Sequence, residues 1–238
     1  YDTTAVRENG DINATRLEAG LYGTIERGTW NAKVYNYNSE RGIPGAIVNN
    51  VWRRGERVWD TNSFFQGSFV KEVNDQFKTQ VNAKYAFYRT HYVNNDDKLI
   101  EVDNLYKQRE VYVSTANMYT IFPFWDVSMS YDFQWNEMKA DMYGFVFPTR
   151  FTNLLSIATA LRLGKVKLQG SGLATFVNDR VKEGPAPKAR QILTPAVFLS
   201  YKPFDKHDFS LRAFYKKTFR MPTFNDLYYA DMGNSKLD

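Results

Sequence analysis

Arginine and tryptophan side chains concentrate in one stretch of the sequence, where residues 41–59 carry six of them. A guanidinium donates paired hydrogen bonds to a carboxylate or phosphate, and it also stacks on indole rings. This combination predicts a binding site for an anionic or planar ligand. Contact with lipid phosphates and pairing with Glu40, Glu56 and Asp60 remain open as alternatives. The candidate ligand-binding residues are Arg41, Trp52, Arg53, Arg54, Arg57 and Trp59.

A second candidate region is the apolar segment at residues 142–148, which reads MYGFVFP. The segment falls in a predicted loop, and exposed apolar loop tips commonly contact a ligand or a protein partner. Tyr143 and Phe145 are therefore further candidates for ligand binding. Packing of the segment against neighbouring loops explains the same composition equally well.

No group of residues assembles the chemistry of an enzyme or of a metal centre. His91 and His207 fall at opposite ends of the topology predicted below, so they do not share a site. Ser171 lies between two glycines but lacks the sequence of a nucleophile elbow. Residues 94–97 lack the ligand spacing of a calcium loop, and the chain has no cysteine. The sequence therefore predicts a protein that is not an enzyme and that uses no cofactor or metal.

The elements that position these residues are predicted to be β-strands, because polar and apolar residues alternate. Within residues 127–136 every second side chain is apolar, and each side chain between them is polar. A period of two places the two sets on opposite faces of a strand. The apolar set is Val127, Met129, Tyr131, Phe133 and Trp135.

The same alternation recurs along the chain and predicts ten strands of about 9–13 residues, the length that a tilted strand needs to cross a bilayer. The connections between them are alternately short and long, which is typical of outer-membrane barrels with short periplasmic turns and long extracellular loops. The predicted strands are residues 16–25, 30–37, 63–73, 77–89, 109–121, 127–136, 155–163, 166–177, 193–201 and 209–216.

Composition agrees with a transmembrane barrel. The sequence has no run of about 18 apolar residues, which excludes a transmembrane helix but not a transmembrane barrel. Aromatic residues reach 16%, and several lie beside the short turns, as in an interfacial girdle. The net charge of +5 is too small to indicate a nucleic-acid partner. No boundary is visible, so residues 1–238 are predicted to form one all-β, antiparallel up-and-down barrel segment.

One segment goes beyond periodicity and resembles a known family. Residues 219–229 read FRMPTFNDLYY, and a Gly-Asn pair and a leucine follow. This pattern resembles the R-x-P-T-x-x-E-L-Y and G-N-x-x-L segments in the barrels of TonB-dependent outer-membrane receptors, with Asp226 in place of the usual glutamate. Residues 41–45, RGIPG, resemble the cobalamin and siderophore subgroup, particularly in Bacteroidetes. The residues that match the family motif are Arg220, Pro222, Thr223, Leu227, Tyr228, Gly233 and Asn234.

The resemblance implies a 22-stranded barrel filled by a plug domain, and this chain is expected to supply about ten strands of it without the plug. It also implies the outer membrane of a Gram-negative bacterium as the location. The implied function is uptake of a scarce nutrient (siderophore-iron, cobalamin or haem) driven by TonB acting through the plug. The expected partners are outer-membrane lipid, lipopolysaccharide and a surface lipoprotein.

Two alternatives remain open at this point. One is an outer-membrane barrel that acts as a passive porin or as an adhesin. The other is a soluble, aromatic-rich β-sandwich that binds glycans. The sandwich would require its aromatic faces to be sealed in a dry interior, whereas the barrel requires them to face lipid.

Overall fold

A computed structural model describes residues 8–44, 55–95, 101–224 and 227. Within these ranges the chain forms one ten-stranded antiparallel sheet, and the strand order in the sheet is the order in the sequence. None of the helical residues described belongs to a helix that is long and apolar enough to span a membrane. The strands are β1 (Ile12–Ile25), β2 (Gly28–Gly42), β3 (Glu56–Glu72), β4 (Phe77–Asn94), β5 (Val102–Phe122), β6 (Trp125–Ala140), β7 (Thr149–Leu163), β8 (Val166–Arg180), β9 (Arg190–Tyr201) and β10 (Leu211–Lys216).

The predicted all-β up-and-down architecture is confirmed by this topology. Every pair of consecutive strands is hydrogen-bonded in antiparallel register, and β1 and β10 lie at the two edges. The alternative of a β-sandwich is wrong, because the ten strands belong to a single sheet with no second sheet packed against it in the described part of the chain.

The two faces of the sheet differ in both chemistry and burial. We call the face that carries Tyr85, Val113 and Tyr131 the outer face; these side chains are 40–47% exposed. The opposite face is called the luminal face and carries Lys84, Ser114 and their neighbours. With one exception, the buried residues within the strands lie on the luminal face. A sheet that curves around its polar face crowds those side chains together and splays the apolar ones apart, as in a barrel wall.

The short connections are formed by turns at the sequence positions expected for them. Gly164 adopts a φ of +56°, which allows β7 and β8 to be joined by only Gly164 and Lys165. In the turn between β3 and β4, the backbone amides of Gln76 and Phe77 donate hydrogen bonds to Asn74 Oδ1 at 2.9 and 2.8 Å. These turns fix the register of the strands that they join.

The strands extend further towards the long loops than the alternation predicts. β4 continues to Asn94, five residues beyond its predicted end, and β5 begins at Val102, seven residues before its predicted start. The predicted length of about 9–13 residues is therefore wrong for most strands, and β5 has 21 residues. A strand that extends out of a lipid layer no longer needs apolar side chains on its outer face, so its hydrogen-bonded ladder can continue after the alternation stops.

Aromatic rings collect on the short-turn edge of the sheet. Phe122 lies 5.4 Å from Phe124 and 6.4 Å from Trp125, measured between ring centroids. Phe204 and Phe209 form a similar pair at 6.3 Å within the connection between β9 and β10. All these rings except Trp125 are at least 43% exposed, as expected for side chains at a membrane interface.

Candidate functional site

A buried ion pair lies on the luminal face near the long-loop ends of β7 and β8. Arg150 is the second residue of β7, and Asp179 is its directly paired neighbour on β8. The guanidinium donates two hydrogen bonds, from Nε to Oδ1 at 2.7 Å and from Nη2 to Oδ2 at 2.6 Å. The two side chains are only 8% and 3% exposed. A bidentate and desolvated pair of this kind fixes both side chains in one geometry.

The same arginine holds a segment of chain that crosses the luminal face after β10. Its third nitrogen, Nη1, donates a hydrogen bond to the Pro222 carbonyl oxygen at 2.7 Å. Its guanidinium carbon lies 4.9 Å from the centroid of the Phe224 ring, a cation–π contact. A helical turn follows, in which the Leu227 amide donates to the Thr223 carbonyl at 3.2 Å. We call residues 219–224 with Leu227 the luminal segment.

The luminal segment is also held by a small apolar core. Phe224 is 8% exposed and packs with Tyr106 of β5 and Met138 and Ala140 of β6. Phe145, from the loop between β6 and β7, completes this core and is 4% exposed. The core therefore ties the luminal segment, two strands and one long loop together at the long-loop end of the sheet.

The two aromatic candidates of the 142–148 loop have opposite environments. Tyr143 is fully exposed at the tip of the loop, where a ligand or partner could reach it. Phe145 points into the core just described and makes an edge-on contact with Phe147 at 5.4 Å. Packing accounts for Phe145, while ligand contact by Tyr143 stays a prediction.

An open cavity of about 520 Å³ lies between the luminal segment and the strand wall. Polar side chains of β5 and β6 form one side of it, including Glu110, Gln134 and Asn136. Phe219, Met221 and the other residues of the luminal segment form the opposite side. The cavity combines hydrogen-bonding groups with apolar surface, as small-molecule sites do.

Polar and aromatic contacts extend from this cavity across the luminal face. Gln134 Nε2 donates to Glu110 Oε2 at 3.2 Å, and Lys84 Nζ lies 3.0 Å from Glu110 Oε1. The same ammonium lies 5.6 Å from the centroid of the Phe64 ring, which stacks on Tyr35 at 4.7 Å. This row of contacts spans β2 to β6 and presents charged, amide and aromatic groups to the lumen.

The arginines and tryptophans predicted to form one site are divided between the two faces. Arg41 is on the luminal face, where it is half exposed and lies 3.4 Å from Asp60. Trp59 is on the outer face, stacked on His91 with 5.2 Å between ring centroids. Arg57 is also on the outer face, because its partner in the register is Gly42 and not Arg41. Arg41 therefore lies on the opposite face of the sheet from Arg57 and Trp59, and ligand contact by each of the three stays a prediction.

The Arg57 guanidinium is engaged by carboxylates. It lies 2.9 Å from Asp11 Oδ2 and 2.7 Å from Glu40 Oε1. The hydrogen bond from Arg57 lowers the pKa of Asp11, just ahead of β1, below its ordinary value. Pairing with a neighbouring glutamate, which was one of the alternatives considered for this stretch, therefore describes Arg57. Trp52, Arg53 and Arg54 lie outside the described residues.

The family-motif residues are described only in part. Arg220, Pro222, Thr223 and Leu227 belong to the luminal segment, whereas Tyr228, Gly233 and Asn234 lie outside the described residues. Sequence reasoning missed Arg150 and Asp179, which hold this motif against the wall. The available signal was their position, since each is a charged residue on the luminal face at the long-loop end of a strand.

An antiparallel meander with long strands, an apolar outer face and a polar luminal face is the wall of a transmembrane barrel. The particular family follows from comparison with known proteins. The family described as "TonB dependent receptor-like, beta-barrel" matches residues 2–238, and the chain belongs to that family. The resemblance noted in the motif is thereby confirmed, whereas the cobalamin subgroup and the Bacteroidetes origin remain expectations.

Two solved structures share the fold at low sequence identity. The ferric citrate transporter FecA, in its unliganded form, is 12% identical with a TM-score of 0.64, and the match covers 84% of this chain. BauA, the ferric preacinetobactin receptor from Acinetobacter baumannii, is 13% identical with a TM-score of 0.62, and 86% of this chain is covered. The matches span 35% and 40% of those two chains. No curated protein sequence matches this chain.

Proposed function

We propose that this chain forms part of the barrel wall of an outer-membrane receptor that imports a scarce nutrient. Family membership supports this function. Because the chain corresponds to 35–40% of the two solved relatives, the activity of the whole receptor is part of the proposal. The proposal also includes two further points: residues 1–238 belong to one barrel segment, and the protein is not an enzyme.

The luminal segment is the single observation that carries the proposal. A passive porin needs a lumen open to water, whereas here residues 219–224 cross the luminal face and are fixed by Arg150 and Phe224. A polar cavity lies beside the segment. A lumen that is partly filled by an ordered segment of chain suits a receptor, which binds its ligand and releases it in a later step.

An exposed guanidinium on the luminal face favours an anionic nutrient. Arg41 is 51% exposed near the extracellular end, which leaves its guanidinium accessible to a ligand beside Asp60. Ferric siderophores, the propionates of haem and the phosphate of cobalamin offer matching anions. The two solved relatives bear names that refer to ferric citrate and ferric preacinetobactin, so a ferric chelate is the first of the three candidates.

The proposed partners follow from that function. TonB would act through a plug inside the barrel, and outer-membrane lipid with lipopolysaccharide would surround the wall. Tyr143 at its exposed loop tip is the candidate contact for a ligand or a surface lipoprotein. Gram-negative outer membrane is the proposed location.

The test uses the complete receptor polypeptide that carries this wall, produced in a Gram-negative strain without its own iron receptors. Ferric citrate, a ferric catecholate siderophore, haemin and cyanocobalamin are supplied singly as radiolabelled or growth-limiting nutrients. We expect uptake of one of them to be saturable and to disappear when TonB is deleted. Uptake that is unaffected by TonB deletion, together with sugar-driven swelling of liposomes, would instead identify a porin.

A further inference from the structure

An open cavity of about 620 Å³ lies on the luminal face near the short-turn ends of β6 to β10. Its wall combines aromatic rings with cationic side chains. Phe198 of β9 and Phe214 of β10 are directly paired in this wall, and Phe214 is 81% exposed. Arg162 and Lys216 also line the cavity. We call it the short-turn cavity.

A row of polar and cationic side chains borders the short-turn cavity on the side of the short turns. Register places Arg162 of β7 opposite Lys167 of β8. Ser200 of β9 then lies between Lys167 and Arg212 of β10. Neighbouring strands are about 4.8 Å apart, so the backbones of Lys167 and Arg212 are about 10 Å apart. Two long side chains at that separation can both reach an anion held over Ser200.

The carboxylate that lines the short-turn cavity is already engaged. Asp126 Oδ2 accepts a hydrogen bond from Arg162 Nη2 at 2.5 Å, and Asp126 Oδ1 accepts one from Thr120 Oγ1 at 2.8 Å. The charge of Arg162 is therefore balanced. Lys216 forms no ion pair with a carboxylate of the described residues. The cavity consequently keeps a surplus of positive charge.

The bordering row has the same surplus. The nearby carboxylates of the β9–β10 connection belong to two other ion pairs: Lys165 with Asp205 at 3.0 Å and Lys202 with Asp208 at 3.2 Å. Within the ranges that the structure describes, neither Lys167 nor Arg212 forms an ion pair. On β3 and β4 the same edge is balanced, because Glu72 lies opposite Lys78. The surplus is therefore local to the strands around the short-turn cavity.

The rings beside these cations indicate which class of anion fits. A planar aromatic group can pack on Phe198 and Phe214, since ring pairs are favourable in offset or edge-on arrangements. Its anionic oxygens would then be within reach of the surrounding ammonium and guanidinium groups, which form short, charge-assisted hydrogen bonds. An anion without rings, such as citrate, would use the cations alone.

The short-turn cavity follows the cavity beside the luminal segment along the same wall. On β6, Gln134 lines the cavity beside the luminal segment, and Ser128 lines the short-turn cavity. The wall between them includes Ser130 of β6 and Ser156 of β7, which are directly paired. A molecule that leaves the first cavity along these strands towards the short turns meets the short-turn cavity next.

We infer that the short-turn cavity is a second ligand site, and that it binds an aromatic anion of the catecholate or aryl-carboxylate class. The rings of Phe198 and Phe214 would hold the aromatic group, and Lys167, Arg212 and Lys216 would hold the anionic oxygens. The inference rests on the proposed function and deepens it. The site would receive the nutrient at the short-turn end of the lumen, before release into the periplasm.

The experiment measures binding in the complete receptor, purified in mild detergent, with its other segments free of cysteine. Ser171→Cys places one fluorophore in the wall of the short-turn cavity. The probe is the ferric complex of 2,3-dihydroxybenzoate, which absorbs visible light and quenches a nearby fluorophore, and ferric citrate is the comparison. The test variant is Lys167→Gln with Arg212→Gln. The matched control is Lys33→Gln with Lys78→Gln, which removes the same charge from the luminal face of β2 and β4.

The catecholate complex should quench the unmodified receptor with a half-saturating concentration at least about tenfold lower than that of ferric citrate. In the test variant this concentration should rise at least about tenfold, while the control stays unchanged. The charge-keeping variant Lys167→Arg with Arg212→Lys should bind as the unmodified receptor does.

Unchanged binding in the test variant, or an equal loss in the control, would overturn the site. Equally tight quenching by ferric citrate would overturn the assignment to an aromatic anion. Absence of quenching in the unmodified receptor would also overturn the site, and a lower melting temperature of the test variant would then assign the cations to contact with an acidic protein surface. TonB-dependent uptake by the unmodified receptor is measured in parallel, which separates failure of this site from failure of the proposed function.

Discussion

Replacing Arg150 with methionine should destabilise the receptor and release the luminal segment. The side chains of Arg150 and Asp179 are 8% and 3% exposed, so the substitution leaves a buried carboxylate without its two charge-assisted hydrogen bonds. Removing one partner of a buried pair costs about 3–5 kcal/mol. The Pro222 carbonyl also loses its hydrogen bond, and Phe224 loses its cation–π contact. Both losses act on the same segment.

The assay is equilibrium unfolding of the complete receptor in lipid vesicles, followed by tryptophan fluorescence in urea. Arg162→Met is the matched control, because Arg162 also pairs with a luminal aspartate but is 52% exposed. A pair of that exposure contributes about 0–1 kcal/mol. The double variant Arg150→Met with Asp179→Leu should recover most of the loss, since no buried charge remains.

Limited trypsin digestion supplies a second readout that is specific to the luminal segment. Arg220 lies inside the segment, so its release should speed cleavage there in Arg150→Met and leave the rate unchanged in Arg162→Met. A loss below about 1 kcal/mol in Arg150→Met, with no faster cleavage at Arg220, would refute the anchoring role.

Three further predictions concern the core, the membrane face and pH. Phe145→Ala should lower the free energy of unfolding in urea by about 3–5 kcal/mol because Phe145 is buried. Tyr143→Ala at the exposed loop tip is the control and should change it by less than about 0.5 kcal/mol. Equal effects would contradict the placement of this loop. Tyr131→Lys on the outer face should lower the free energy of unfolding in lipid vesicles by about 2–4 kcal/mol, and Asp132→Lys on the luminal face should lower it much less. The reverse order would show that the outer and luminal faces are assigned the wrong way round. Because Arg57 lowers the pKa of Asp11, the stability from their contact should be complete above the unfolded pKa of about 3.9 and should be lost as the pH falls through the lower pKa of the folded state. An NMR titration of the Asp11 carboxyl checks this, and a raised pKa would contradict it. Arg57→Gln should restore the ordinary pKa of Asp11.

The ten strands could be predicted from the sequence because lipid imposes a strict pattern on the outer face. In residues 127–136 every lipid-facing position is apolar, and the structure places this segment within β6 in the predicted orientation. The strand ends near the long loops could not be predicted in the same way. Outside the lipid layer, residues such as His91 and Asp103 still belong to paired strands, although both are polar and face outwards.

The candidate site was less predictable because it depends on register and on contacts between distant residues. Arg41 and Arg57 are both in the predicted cluster, but they fall on opposite faces because Arg41 is paired with Val58. Arg150 and Pro222 are 72 residues apart, and no local pattern indicates that they meet. The motif identified the luminal segment as belonging to the family but gave no information about what holds it in place.

The central claim is that alternate residues of one strand contact lipid and water, and cysteine scanning of β6 tests it most directly. Residues 1–238 have no cysteine, so single cysteines at positions 127–136, introduced into a complete receptor whose other segments are cysteine-free, can each carry one fluorophore. Fluorescence is then quenched separately by spin-labelled lipid and by aqueous iodide in vesicles. We predict a period of two, with lipid quenching at odd positions and iodide quenching at even positions. Equal quenching at neighbouring positions, or the opposite phase, would contradict the account.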